Sequence, residues 1–172
     1  MESRWYAVYT CARHEKRVRE QLELRQLRGA LPLYRALHRW KDRRKEVELP
    51  LFPSYVFVQL ALKDRLRVLE IPGVVSFVTA QGRPAPLPED EIRPFLNGWD
   101  GSVRMEPYPY LQPGRQVRLR SGPMAGLEGM LLRRKDGLRL VVSISMLMRA
   151  VAVEVDAADV EPCGRASLLR TQ

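Results

Sequence analysis

Hydrophobic and polar positions alternate in more than one rhythm along this chain. Residues 4–10, "RWYAVYT", follow a period of two and predict a strand with Trp5, Ala7 and Tyr9 on one face. Residues 13–29, "RHEKRVREQLELRQLRG", switch to a helical period. Val18 and Leu22 stand four apart, Leu24 and Leu27 widen the stripe, and Gly29 suits the C-terminal cap. Two strand-like runs, "LPLYRALHRW" and "KEVELPLFP", flank a basic turn, "KDRRK". "KDRLRVLEI" predicts a short helix with Leu66 and Leu69 inward, and "GVVSFVTAQGRPAPLP" predicts a strand and a turn. "PEDEIRPFL" predicts a helix from Pro88, its acids near the positive end of the helix dipole. Strands interleaved with two or three helices imply an α+β domain, an antiparallel sheet with helices packed on it.

The stretch "LPLFPSYVFVQL", residues 49–60, breaks the simple pattern. A half-buried strand needs one apolar face, and from Tyr55 this one has two. Val56, Val58 and Leu60 make an ordinary core face. Tyr55 and Phe57 make an aromatic one, which needs a partner if it is exposed.

Periodicity fades at "NGWDGSVRMEPYPYLQPG", residues 97–114, where three prolines and three glycines predict a connector. Beyond it the style changes. "RQVRLR", "LEGMLLRR", "LRLVVSIS" and "RAVAVEV" are short strands separated by the turn signals "SGPMAG" and "KDG". This spacing predicts a small all-β barrel closed by "DAADVEP". The expected division is 1–96, a linker 97–112, a β domain 113–162 and a tail 163–172. In "SGPMAGLEG", Gly122 and Pro123 make a turn, while Gly126 and Gly129 permit backbone shapes or approaches that a side chain would obstruct.

The chain has 172 residues, 45% of them apolar, which suits one ordinary or two small globular domains. No apolar run reaches membrane-spanning length, and the N-terminus lacks a signal pattern, so a cytoplasmic protein is expected. Cys11 and Cys163 form no metal spacing and read as reduced thiols. No HExxH, GxSxG or phosphate-cradling glycine loop is present, and Glu89, Asp90 and Glu91 diverge around a helix. No catalytic site, metal site or cofactor is predicted.

The net charge of +9 favours an acidic partner, most commonly nucleic acid. Two clusters concentrate it. One lies on the first helix and includes Arg13, Lys16 and Arg17. The other, around the turn, includes Arg39, Lys41, Arg43, Arg44 and Lys45. Within residues 35–45 there are six Lys or Arg against Asp42 alone, where a bland charged face would interleave signs. Both clusters suit phosphate contacts, which add affinity without reading sequence.

With these motifs in view the sequence resembles a known family. "WYAVYT", "LFPSYVFV", "PGVVSFV" and "GRPAPLP" resemble the N-terminal domain of the NusG family of transcription elongation factors. "PGRQVRLRSGPMAGLEGMLLRR" with "VAVEVDAADVEP" resembles that family's C-terminal KOW domain, a small SH3-like barrel. The resemblance spans residues 4–162. It implies a monomer that binds RNA polymerase without catalysis, its N-terminal domain docking on the clamp helices of the largest subunit. From there it would bridge the cleft beside upstream or non-template DNA and reduce pausing or termination. The positions matching the family's docking patch are Tyr9, Phe52, Pro53, Tyr55 and Phe57. The KOW domain would recruit other factors, such as Rho or a ribosome, through the loop holding Met146, Leu147 and Arg149.

That loop departs from the family pattern. Housekeeping members carry Ile-Phe-Gly-Arg where this chain has "MLMR", so Leu147 replaces an aromatic residue and Met148 a glycine. With the basic stretch "HRWKDRRK", this resembles specialised RfaH-like or UpxY-like paralogues. A competing class is a KOW-containing structural RNA-binding protein of the ribosome, with Arg118, Arg120, Arg133 or Arg134 on RNA. That class gives the aromatic N-terminal patch no purpose.

Overall fold

The structure, a computed structural model, describes residues 2–96, 104–108, 116–134, 137–144 and 147–162. Met146, Cys163 and the rest of the tail lie outside the described residues, as do the side chains of Arg133 and Arg134. The chain forms two compact units, residues 1–101 with 144–147 and residues 102–143 with 148–172.

The first unit carries, in chain order, β1 (Arg4–Thr10), α1 (Glu15–Leu24), β2 (Arg28–Ala30), β3 (Leu33–Trp40), β4 (Arg43–Pro50) and β5 (Tyr55–Leu60). These are followed by α2 (Arg65–Leu69), β6 (Val74–Phe77), β7 (Thr79–Ala80), β8 (Arg83–Pro84) and α3 (Glu89–Leu96). Its main sheet is antiparallel, in the order β2-β5-β1-β6. The expected α+β pattern of sheet and helices is present. In the central pair Tyr6 faces Val58 and Val8 faces Val56. These four side chains pack with Val18 and Leu22 of α1 and Val68 of α2, so the face read as ordinary core is core.

Three local expectations change. The first helix is shorter than residues 13–29 because Gln26 adopts the left-handed conformation, at φ 58°. The Leu27 N–H donates to the Leu22 carbonyl (2.9 Å) and the Gln26 N–H to the Glu23 carbonyl (2.9 Å), which is a Schellman closure without glycine. Gly29 is therefore not the cap. It lies in β2, where a Cβ would come within 2.9 Å of Leu22 Cδ1. Leu24, two positions from Leu22, points to solvent.

In α2 it is Val68 that is buried, while Leu66 and Leu69 are exposed. Reciprocal bonds from Arg25 Nη1 to the Arg67 carbonyl (3.2 Å) and from Arg67 Nη2 to the Arg25 carbonyl (2.6 Å) set the rotation of this one-turn helix. Finally, the basic turn is only Lys41 and Asp42. Arg43, Arg44 and Lys45 belong to β4, which pairs with β3 as a separate two-stranded ribbon.

The second unit is sheet-rich. Its strands are β9 (Met105–Tyr108), β10 (Gln116–Leu119), β11 (Glu128–Arg134), β12 (Gly137–Ile144), β13 (Arg149–Val155) and β14 (Val160–Pro162). They form one sheet, in the order β14-β10-β11-β12-β13-β9. β9 comes from the stretch expected to be linker, and pairs with β13 from Met105↔Val153 to Tyr108↔Ala150. Pro107 is tolerated there because β9 is an edge strand. Gly129 meets its expectation, since a Cβ would sit 2.3 Å from the Val141 carbonyl oxygen.

Candidate functional site

The aromatic face of the first sheet is built on the β1–β5 register. Tyr9 lies directly opposite Tyr55, Ala7 opposite Phe57 and Trp5 opposite Gln59. The Tyr9 and Tyr55 rings touch at 5.6 Å between centroids, tilted by 60°. Tyr9 is 41% exposed and Tyr55 half-buried, and Pro53 beside them is exposed. Val75 is also exposed, where the β1–β6 register shifts next to Tyr9.

The turn that presents this pair is fixed from three sides. The Thr10 N–H donates to the Ser54 carbonyl (2.9 Å) and the Tyr55 N–H to the Phe52 carbonyl (3.1 Å). The Ser54 N–H donates to the carboxylate of Glu15 (2.8 Å), a buried side chain at the first position of α1. Ser54 itself is held at φ 66°. A helix on one face of the sheet thus anchors the loop that shapes the other.

Phe52 and Phe57 do not share this exposure. Phe57 is 0% exposed and meets Phe52 edge-on at 5.5 Å. Phe52 in turn meets Phe95 of α3 at 5.1 Å. The expectation of an exposed aromatic face is corrected for these two residues, because α3 and the Phe52 ring cover that part. At the far end Trp5 is buried beneath the Arg28 guanidinium, 5.5 Å from the ring centroid, and Arg28 donates to Gln59 Oε1 (3.0 Å). The face therefore closes at Trp5, packs at Phe57 and opens at Tyr9 and Tyr55.

Sequence reasoning missed Glu15 and Arg28, whose partners lie 39 and 31 residues away. Phe95 carried a signal, since Ile92 and Phe95 stand at helical spacing, but nothing in the spacing said which face α3 would cover.

Of the predicted nucleic-acid-binding residues, Arg13, Lys16, Arg17, Arg39, Lys41, Arg43, Arg44 and Lys45 are all exposed. Lys16 Nζ donates to the Glu48 carbonyl of β4 (2.9 Å), which ties the first turn of α1 to the base of the ribbon. In the second unit Arg118 is held by Glu128, and Arg120 Nε donates to the Ala158 carbonyl (2.9 Å). Leu147 is buried, Met148 is exposed at φ 50° and Arg149 is exposed. Among the described residues no cluster of His, Cys, Asp and Glu could hold a metal ion, and no helix is long and apolar enough to cross a membrane.

Residues 3–96 match the family model described as "Transcription termination factor nusG". The transcription termination/antitermination protein NusG of Staphylococcus carnosus is 31% identical, over 92% of this chain and 94% of its own length. Its namesake in Escherichia coli is 30% identical, over 93% and 96%. A solved structure described as domain interaction in Thermotoga maritima NusG superposes with a TM-score of 0.60 at 25% identity, covering 94% of this chain and 98% of that one. These matches are to the family at large and mark no specialised branch. By sequence along nearly its whole length, and by fold, the chain belongs to the NusG family of transcription termination/antitermination factors.

Proposed function

We propose that this protein binds RNA polymerase during elongation and reduces pausing or termination. Tyr9, Pro53 and Tyr55 form the docking surface for the clamp helices of the largest subunit, and Phe52 and Phe57 support it from beneath. The observation that carries this reading is the Tyr9–Tyr55 ring pair at the surface of the central strand pair, Tyr9 exposed and Tyr55 half-buried, its turn clamped by Glu15. Two tyrosines on a fixed backbone give large contact area with little entropy to lose, which suits an interface anchor. The basic residues of α1 and the β3–β4 ribbon then contact nucleic acid beside the cleft.

The second unit is read as a KOW domain of SH3-like barrel form, and the loop at Met146, Leu147 and Arg149 as the segment that recruits further factors, through exposed Arg149 and not through Leu147, which is buried. Its sheet-rich architecture and the close approach at Gly129 support that reading. A specialised paralogue is favoured over a housekeeping member. The backbone at Met148 is left-handed, a shape natural to the glycine of the housekeeping pattern, yet this chain keeps a large side chain there. Leu147 supplies no aromatic anchor, so contact with Rho or a ribosome through this loop is weakened.

Capture from a cell extract on the tagged full-length protein tests the proposal. RNA polymerase subunits should dominate the eluate. Ribosomal subunits in their place, or neither, would refute it.

A further inference from the structure

The β3–β4 ribbon is polarised along its length. Near its base Arg35 faces Glu48 and Leu37 faces Glu46. Tyr34, Ala36, Val47 and Leu49 there are half-buried. Toward the tip one carboxylate remains, Asp42 in the turn, against five Lys or Arg. Arg39 lies directly opposite Arg44, His38 opposite Lys45, and Lys41 sits in the turn. Like charges directly across a sheet are destabilising. None of Arg39, Lys41, Arg43, Arg44 and Lys45 pairs with a carboxylate among the described residues. Elsewhere in the first unit Arg4, Arg19, Arg25 and Arg93 each face one.

The cations also occupy both faces. Cross-strand partners share a face, and successive residues alternate between faces. Arg39 and Arg44 therefore lie on one side of the ribbon, and Arg43 and Lys45 on the other. A ribbon lying flat on a polyanion presents one face and leaves the other pair of charges unused. Both faces are used when phosphates stand on either side.

We infer that the tip of the β3–β4 ribbon enters the major groove of B-form duplex DNA, with Arg39 and Arg44 toward one phosphate wall and Arg43 and Lys45 toward the other. This rests on the nucleic-acid reading of the ribbon given above and names the form of the partner. A two-stranded ribbon with side chains on both faces is about 10 Å thick, against a major groove about 12 Å wide and a minor groove about 6 Å wide. The major groove of A-form RNA is deep and narrow and does not admit it. The cationic tip reaches about 10 Å, against a groove depth of about 8.5 Å. Glu46 and Glu48 mark the limit of entry, where phosphates are no longer favoured. The bond from Lys16 to Glu48 fixes the ribbon's base against α1, where exposed Arg17, and Arg13 in the turn just before the helix, can meet the outer backbone.

Fluorescence anisotropy on the full-length protein tests this, with a 20-base-pair DNA duplex, the equivalent RNA duplex and the DNA single strand as probes over a salt series. Duplex DNA should bind at least ten-fold tighter than either alternative. The pairs Arg39→Ala with Arg44→Ala, and Arg43→Ala with Lys45→Ala, should each lower the slope of log K against log salt by about 1.8 on duplex DNA, at about 0.9 per phosphate contact. All four side chains are exposed, so an unchanged melting temperature confirms that fold is not the cause. If only one pair moves the slope, or RNA duplex or single strand binds as well, groove entry is wrong while the nucleic-acid reading stands. If neither pair moves the slope on any probe, the nucleic-acid reading of the ribbon falls with it.

Discussion

The two faces of the β1–β5 pair are built from neighbouring residues of the same strands and end differently. On one, Val8, Val56 and Val58 are sealed by α1 and α2 along their whole length. On the other, Phe57 is sealed by Phe52, itself packed on Phe95 of α3, but Tyr9 and Tyr55 remain at the surface. Composition does not make the difference, since both faces are apolar. It lies in the length of the covering helices and in the loop that Glu15 holds beyond them. An aromatic face on a strand can thus be core for one residue and surface for the next but one.

The sharpest way to break this comparison is Phe57→Ala. If the aromatic face is core at that point, truncation should destabilise the protein by about 3–5 kcal/mol in chemical unfolding. A loss below about 1 kcal/mol would mean that Phe57 is interface as much as Tyr55 is. The link between the faces is Glu15. Glu15→Ala leaves the Ser54 N–H without its acceptor, and should lower stability by about 1–3 kcal/mol. It should also increase amide hydrogen exchange at residues 53–55, and unchanged exchange there would remove Glu15 as the clamp. The smallest effect belongs to the closed end. Arg28→Ala removes the cation over Trp5 and the bond to Gln59 and should cost about 1 kcal/mol, with no change in polymerase binding. A binding defect would extend the docking surface to the whole face.

Much of this was legible in the sequence, for identifiable reasons. Period-two alternation placed β1 and β5 and sorted Val56 and Val58 from Tyr55 and Phe57. What alternation cannot supply is the cover on each face, which depends on where α3 packs. Hence Phe57 was expected at the surface. The end of α1 was misjudged because glycine is the usual left-handed cap, and here Gln26 takes that conformation while Gly29 makes room for Leu22. β9 was hidden because four residues bearing a proline carry no period, and only the pairing with β13 makes them a strand. The basic ribbon was legible as composition. Its two-faced arrangement needed the register.

The most direct test of the central claim is binding of a fragment carrying the clamp helices to the Tyr9→Ala, Tyr55→Ala double variant, measured with its melting temperature. Each aromatic side chain buried on docking is worth at most about 1.5–3 kcal/mol. Losing two should weaken binding ten-fold or more, since about 1.4 kcal/mol is a factor of ten. The melting temperature should shift by less than it does for Phe57→Ala. Binding retained within two-fold, or a variant as destabilised as Phe57→Ala, would contradict the assignment of this pair as the docking surface.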